Sequence, residues 1–507
     1  MNILIIGAVF LSTLLRSCLA QSARNPDLCC AALNTSTIGS RVAFPGSVAY
    51  EQSLSSYYSL NARLHPTCIV QPLSAQDVSV AVRTLATSTA APCLFAVRSG
   101  GHTPTAGAAN IEPGVTIDLS LMNRTTYDPS TGTASIQTGV HWGSVYDTLL
   151  KSNVTIAGGR VAPIGVGGFL TGGGLSFYNA RVGLSCDNVQ GFEVVMASSE
   201  IVYANRNSHP DLFKALKGGS NNFDIVTTFD MATLPAADLW GGLLVYNISN
   251  TPEYISAATD FTDKIPTDPH GAWYGIFNYN GTMDRTDIVA MLAYRRPVMR
   301  PAVFQKFYQI PNITDTTRIS TIVDQTRYAY IPYRGGSSIP TGTTSTYLNR
   351  ADIIHQAVQV FFKQIRRAKS RARSKDFGII LVVQPWVPLF WKESEARGGN
   401  VLGLERFNKN MLNIIISYSW SDEADDNLFH HLAESGRAKL DTCAWLTGAY
   451  NEYIYLNYAG GAQDPLRGYG PDNVRFMQEV ARKYDPEGVF QHQVPGGFKP
   501  SRTHGFD

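Results

Sequence analysis

The chain has 507 residues, of which 44% are hydrophobic and 16% charged, with 44 Gly, 26 Pro and 7 Cys. Charge that lean, with ordinary apolar content, argues for a large buried core and against disorder; a formal charge of +2 gives no global ground for binding nucleic acid or an anionic membrane surface. The few cysteines exclude a disulfide-built mini-protein, and the length suits about three domains or a large two-domain enzyme.

Residues 1–20 read as a secretory signal peptide: residues 3–15 are apolar but for Gly7, Ser12 and Thr13, and small Cys18 and Ala20 precede a cut ahead of Gln21. The run is shorter than the roughly 20 residues a membrane span needs. The mature protein is therefore expected to be secreted or in the secretory-pathway lumen, with no membrane segment. Sequons at Asn34, Asn123, Asn153, Asn247, Asn280 and Asn312 are expected to carry N-glycans. Cys29, Cys30, Cys68 and Cys93 are expected to staple the N-terminal segment to the first domain. Adjacent cysteines rarely pair with each other, so two connectivities stay open, Cys29–Cys68 with Cys30–Cys93 or Cys29–Cys93 with Cys30–Cys68. Cys186 and Cys443 read as free buried thiols. No metal is expected, because neither Cys-X-X-Cys nor His-Glu-X-X-His occurs.

Along the chain, residues 69–70 read as a strand and Ser74 as the cap of a helix running through Val78, Val82 and Leu85. Residues 95–98 form a strand that breaks at Ser99-Gly100-Gly101-His102. Further strands at 116–119 and 134–137 are separated by Asp128-Pro129 and Thr131-Gly132 turns, and residues 142–151 have helical spacing. The densest glycine region lies between Gly158 and Gly174. Residues 192–203 read as a hairpin and 211–216 as a short helix. Beyond about Leu234, aromatic and β-forming residues dominate, with helices at 252–262 and 351–373 and strands at 378–384 and 412–420. The segment from Tyr453 is expected to hold one strand, a helix at 472–484 and a Pro-rich tail. The basic run from Arg366 to Lys375 reads as a solvated helix face, not a nucleic-acid contact. The fold class is α+β.

Two glycines at the end of a strand, in Arg98-Ser99-Gly100-Gly101-His102, let backbone N–H groups converge into an anion nest suited to a diphosphate, with His102 beside it. Alone, such a turn is ordinary. Gly165-Val166-Gly167-Gly168 followed by Gly172-Gly173-Gly174 adds to it, since so many glycines imply backbone approach along a long ligand. This is no P-loop, for no Gly-Lys-Ser/Thr follows; Phe177 stands at the third glycine place of the dinucleotide fingerprint, and no Gly-X-Ser-X-Gly elbow occurs.

These motifs, with Ile117-Asp118-Leu119-Ser120, Gly183-Leu184-Ser185-Cys186-Asp187-Asn188-Val189, Tyr455-Leu456-Asn457-Tyr458 and Asp485-Pro486-Glu487-Gly488-Val489-Phe490, resemble the vanillyl-alcohol-oxidase superfamily of FAD-linked oxidoreductases, in its berberine-bridge-enzyme-like branch and among its fungal members. The resemblance covers nearly the whole mature chain. It implies a two-domain PCMH-type fold: an FAD-binding domain over 21–235 (core about 64–235), a substrate-binding domain over 236–453 on an antiparallel sheet covered by helices, and a segment 454–507 returning to the first. It implies FAD bound covalently from its 8α-methyl to His102. Val161 stands where many members carry a second, cysteinyl tether, so the link is expected to be single. The implied flavin contacts are Arg98, Ser99, Gly100, Gly101, Thr103, Gly107, Gly167, Gly168, Thr171, Gly172, Gly173, Gly174, Asp187, Asn188, Val189 and Asn457, with Gly218-Gly219-Ser220-Asn221-Asn222-Phe223 in addition. Ile164 matches the position over the ring that is small in oxidases and leucine in dehydrogenases, which leaves the acceptor open.

Tyr458 is the implied catalytic base, taking a hydroxyl proton as hydride leaves for the flavin, and Asn457 would orient that site. The rival reading packs Tyr455 and Tyr458 on the domain seam. Glu405 is an alternative base, just past the acid-free Gly398-Gly399-Asn400-Val401-Leu402-Gly403-Leu404. Trp386, Phe390, Trp391, Tyr418 and Trp420 are candidates for an apolar pocket, with core packing as the default. The reading is an FAD oxidoreductase acting on a small-molecule substrate, a secondary metabolite, with O2 reduced to hydrogen peroxide. Oligosaccharide oxidation is the alternative, although those members mostly carry the second tether; flavoprotein cyclisation is another. A non-catalytic ligand-binding glycoprotein is the rival class, and an intact His102 argues against it.

Overall fold

Ser74 caps its helix in the computed structural model, which describes residues 26–503 apart from 87–91 and 329–337. Its Oγ accepts from the Asp77 N–H at 3.2 Å while Asp77 Oδ2 accepts from the Leu73 N–H at 2.9 Å, so one end donor of the helix Ala75–Ala86 and the amide just before its cap are satisfied locally. The expected signal peptide lies outside the described residues.

That helix buries Val78, Val82 and Leu85 against a four-stranded sheet of β1 (Val42–Ala43), β2 (Cys68–Val70), β3 (Phe95–Arg98) and β4 (Val115–Asp118), in the order β1-β2-β4-β3. Strands β2, β4 and β3 run parallel. Each fully buried Val or Leu in such a core contributes about 1.5–3 kcal/mol. A second, antiparallel sheet comprises β5 (Thr125–Asp128), β6 (Thr133–Gln137), β8 (Val189–Met196), β9 (Ile201–Asn205) and β10 (Asp224–Ala232), in the order β5-β6-β10-β8-β9. Short β7 (Val154–Thr155) pairs with β11 (Leu234–Pro235).

The rest of the strands form one antiparallel sheet: β12 (Leu239–Asn247), β13 (Gly271–Asn280), β14 (Arg285–Tyr294), β15 (Asn312–Asp315), β16 (Arg318–Ser320), β17 (Ile339–Leu348), β18 (Phe377–Trp386), β19 (Met411–Trp420) and β20 (Tyr450–Asn451). Two long helices, Ala351–Arg371 and Asp426–Leu446, pack on it. Ile354, Val358, Phe361 and Ile365 of the first recur at helical spacing and form one buried stripe. This helix ends at Arg371 and not at 373, because the Arg373 N–H turns to the Asp425 carboxylate at 3.0 Å. Among the described residues no helix is long and apolar enough to cross a membrane.

Two expectations are corrected beyond the large sheet. Among the described residues no strand follows Tyr453: Asn451 Oδ1 accepts from the Tyr453 N–H at 2.9 Å, an Asx turn that takes the chain off the ladder, and Leu456–Tyr458 is a 3-10 turn. Cys443 is partly exposed, whereas Cys186 is buried as expected. The N-terminal staple takes the second of the two open pairings, Cys29–Cys93 with Cys30–Cys68. After the helix Pro471–Tyr484, the C-terminal stretch packs Val489, Phe490 and Val494 against the first sheet, and Lys499 donates to the Phe490 carbonyl at 2.9 Å.

Candidate active site

Strand β3 delivers the glycine turn to a place already crowded by protein. Ser99 Oγ donates to the Thr138 carbonyl at 2.7 Å and accepts from the Gly167 N–H at 3.1 Å, which locks the turn to the glycine run. A Cβ on Gly100 would stand 2.5 Å from Gly165 Cα, so these two glycines permit backbone-to-backbone contact. Arg98 turns its side chain to protein. Its guanidinium donates to the Ser53 carbonyl at 2.7 Å and to Ser56 Oγ at 2.6 Å, lies 4.0 Å from the Tyr57 ring centroid, and so holds the N-terminal segment.

Most of the glycine run is likewise filled by neighbours. Side chains of Asn457, Leu402 and Ser185 occupy the room beside Gly172, Gly173 and Gly174, and Thr171 donates back to the Gly167 carbonyl at 3.1 Å. Gly168 differs. It is exposed in the short helix Val166–Thr171, and nothing lies within 4 Å of where its Cβ would stand. The same holds at Gly107, whose φ of +82° suits glycine. Thr103 Oγ1 accepts from the Thr105 N–H at 3.2 Å and shapes the loop between His102 and Gly107.

His102 is partly exposed, and its ring centroid is 4.2 Å from that of Tyr58. Desolvation first, and His141 second, pull its pKa down to about 4, so the imidazole is neutral at physiological pH.

The side chains of Asp187, Asn188 and Val189 are likewise taken up by protein. Asp187 accepts from Ser394 Oγ at 2.7 Å and Asn400 Nδ2 at 2.9 Å; Asn188 Oδ1 accepts from the Arg397 guanidinium at 2.7 Å; Val189 is core. Lys217 joins this clamp by donating to the Arg397 carbonyl at 2.9 Å, and burial pulls its pKa down to about 8. The stretch 394–402 is thus bolted to Asp187, Asn188 and Lys217. Its Leu402 fills the space beside Gly173 and Gly218. Asn222 closes the neighbouring loop by donating to the carbonyls of Gly219 and Phe498.

At the other side of the seam, Tyr455 is buried, and its oxygen accepts from the Gly174 N–H at 2.9 Å and Asn457 Nδ2 at 3.0 Å. Asn457 also donates to the Phe169 carbonyl at 3.0 Å. Tyr458 is half-buried, with its ring edge-on to Tyr455. Arg160 Nη2 donates to the Tyr458 oxygen at 3.1 Å and to Gln384 Oε1 at 2.7 Å. Its guanidinium lies 4.6 Å from the ring of Tyr274, whose hydroxyl is pushed up to about 12, chiefly by burial. A cavity at this seam is lined by Arg160, Leu175, Phe177, Trp273, Pro385 and Phe390.

Sequence reasoning did not single out Arg160, Gln384 or Asn413. The signal for Arg160 was its place among glycines, at Gly158-Gly159-Arg160; the other two carry none, because only the register Gln384↔Asn413 brings them together. Glu405 is exposed on a 3-10 turn and stands apart from this cluster. Of the aromatic candidates, Phe390 lines the cavity and Trp386 packs on Tyr455 and Tyr453. Trp391 donates to the Phe407 carbonyl. Tyr418 and Trp420 pack on Phe429 of the helix Asp426–Leu446 and are core.

A flavin dinucleotide fits these residues: unfilled backbone at Gly107 and Gly168 admits a close ligand, and the neutral His102 imidazole lies on the same loop as Gly107. Comparison with known proteins agrees. Residues 66–205 match the family described as an FAD binding domain. The chain is 58% identical over 479 residues, 94% of its length, to FAD-dependent monooxygenase sdcF of Emericella nidulans, of which it covers 99%. In structure it is similar to xylooligosaccharide oxidase of Myceliophthora thermophila, with a TM-score of 0.73 and 19% identity over 93% of this chain and 99% of that one. It is also similar to berberine bridge enzyme in complex with (S)-reticuline, with a TM-score of 0.73 and 16% identity over 93% and 99%. The FAD binding domain and the Emericella relative together place the chain in a family of FAD-dependent oxidoreductases, built on the PCMH-type fold of the vanillyl-alcohol-oxidase and berberine-bridge-like enzymes.

Proposed function

We propose that this oxidoreductase oxidises a hydroxyl-bearing carbon of a small organic substrate, a secondary metabolite, and passes the electrons to molecular oxygen. The products are a carbonyl compound and hydrogen peroxide. The observation that carries this reading is the half-buried Tyr458 phenol, its oxygen fixed by Arg160 and its turn fixed to the glycine run through Asn457. Bound FAD supplies the hydride acceptor. Tyr458, as the phenolate with its oxygen accepting from Arg160, takes the hydroxyl proton and becomes the neutral phenol. Leu175, Phe177, Trp273 and Phe390 give the cavity beside Arg160 an apolar lining.

His102 is the proposed single tether, supported by its neutral imidazole and by Val161 at the place of the second link. The remaining flavin contacts come from the main chain at 98–107 and 165–174. Export and glycosylation are part of the same reading. In support, Asn34, Asn123, Asn153, Asn247 and Asn312 are exposed, Asn280 is half-buried, and two disulfides suit an oxidising compartment.

The test is an oxygen-uptake screen over polyketide alcohols, alkaloids and sugars with hydrogen peroxide quantified, followed by turnover under 18O2. One peroxide per carbonyl product and no label in that product is the expected outcome. Label in the product would replace the oxidase with an oxygenase, as the name of the Emericella relative has it, and turnover confined to sugars would favour the oligosaccharide reading. For the tether, yellow colour should survive acid precipitation, and His102→Ala should release all flavin to the acid supernatant.

A further inference from the structure

We infer that Arg160 is the cation against which the Tyr458 phenolate forms, and that Gln384 and Asn413 are positioning residues that hold Arg160 there. This rests on Tyr458 being the base. A guanidinium has only donors, in a planar fork, so its orientation is set by where its acceptors stand. Here one terminal nitrogen serves two of them: Gln384 Oε1 at 2.7 Å and the Tyr458 oxygen at 3.1 Å. The Tyr274 ring lies against the guanidinium as well, 4.6 Å from it.

The amide of Gln384 can present either end to Arg160, and the sheet decides which. Gln384 Nε2 donates to Asn413 Oδ1 at 3.0 Å, and Asn413 Nδ2 donates in turn to Thr344 Oγ1 at 2.8 Å. With both amide nitrogens occupied in that sense, Gln384 must offer oxygen to the guanidinium. Gln384 and Asn413 are cross-strand partners on β18 and β19, and both are buried, so the relay is held by the ladder itself. Gln384 and Tyr458 are neutral partners of the guanidinium. When Tyr458 gives up its proton, the same hydrogen bond becomes a contact between opposite charges. Among the described residues, the ionisable groups facing Tyr458 are Arg160 from the loop after β7, Tyr274 from β13 and Tyr455 from its own turn. Burial keeps both of those tyrosines neutral, so neither opposes the phenolate.

The test uses holoenzyme carrying tyrosine labelled with 13C at Cζ, titrated with base. The Tyr458 resonance is the one missing from Tyr458→Phe. In Arg160→Met its ionisation midpoint should move up by at least one pH unit, a tenfold change in the proton equilibrium. Arg160→Lys should recover part of the displacement, and Gln384→Met, which keeps the guanidinium but removes its acceptor, should move the midpoint in the same direction by less. Identical midpoints in wild type and Arg160→Met would overturn the inference, and should that variant not fold, identical midpoints in wild type and Gln384→Met do the same. Turnover is read separately. Undiminished turnover in Tyr458→Phe removes the base, whereas the resonance of Tyr458 reports on Arg160 whether or not the base reading stands.

Discussion

The glycine-rich wall at 165–174 and the polar row on β17–β19 form two sides of one seam by opposite means. On the wall, side chains are removed until backbones touch: Gly100 meets Gly165, and Asn457 and Leu402 occupy the room that Gly172 and Gly173 leave. On the sheet, side chains are kept and paired, Gln384 with Asn413 and Asn413 with Thr344, each satisfying the next. The wall specifies where a long ligand can lie along the main chain. The sheet specifies the polarity of one group, Arg160, and through it one tyrosine. A substitution on the wall should therefore act on folding or flavin retention, and one on the sheet side on chemistry.

The largest expected effect separates those outcomes most cleanly. Tyr458→Phe should lower turnover by about 10²–10⁴-fold, the usual worth of a general base, with flavin content and melting temperature unchanged. Parallel absorbance spectra and steady-state rates check this, and unchanged turnover would return Tyr458 to the role of seam packing.

The wall can be broken at two positions with opposite results. Gly165→Ala places a methyl 2.5 Å from Gly100 Cα and should cost at least about 1–3 kcal/mol, because the neighbour is backbone and has no rotamer to yield. Gly168→Ala meets open space in a helical conformation, where alanine is favoured by about 0.5–1 kcal/mol. The apoprotein should then be no less stable, while flavin retention falls. Denaturation midpoints and flavin-to-protein absorbance ratios distinguish the two, and loss of stability at both positions would mean that Gly168 faces protein.

Much of the wall was legible in the sequence and little of the sheet side was. Ser74, the strand before Gly100 and the hairpin around 192–203 follow local rules of capping and alternation, and each appears where its pattern places it. The glycines were also legible, but their meaning was only half so: a run of glycines signals close backbone approach without saying whether the approaching group is a ligand or another stretch of chain. At Gly100, Gly165 and Gly172 it is chain. Asp187 and Asn188 show the same ambiguity for polar residues, since nothing in Asp187-Asn188-Val189 reveals that Ser394, Arg397 and Asn400 will be folded against them. Arg160, Gln384 and Asn413 depend on register between strands and on a loop far away in sequence, which no local pattern records.

The C-terminal stretch that backs the first sheet gives a smaller, pH-resolved contrast. Lys499 is buried, and burial, with Arg502 second, pulls its pKa down to about 7. An unfolded lysine keeps its proton to about 10.4. Between those values the unfolded chain binds more protons than the folded one, so stability should rise with pH, at no more than about 1.4 kcal/mol per unit from this residue. Urea titrations from pH 7 to 10 should show that rise in wild type and a shallower one in Lys499→Met. Equal slopes would mean that Lys499 stays charged when folded, held by its hydrogen bonds to the Phe490 and Asn221 carbonyls.

The smallest effect tests which face of the large sheet does chemistry. Successive residues of β19 point to opposite faces, so Asn413 and Tyr418 cannot share one. Asn413 is on the side of Gln384 and Arg160, and Tyr418 donates to the Leu432 carbonyl of the covering helix at 3.3 Å. Tyr418→Phe should thus cost about 0.5–1.5 kcal/mol for one lost hydrogen bond and leave both kcat and KM alone. Phe390→Ala, at the cavity, should raise KM for any substrate that the oxygen-uptake screen identifies. If Tyr418→Phe altered KM as well, the helix-covered face would have to reach the substrate, and the division of labour between the two faces of the sheet would fail.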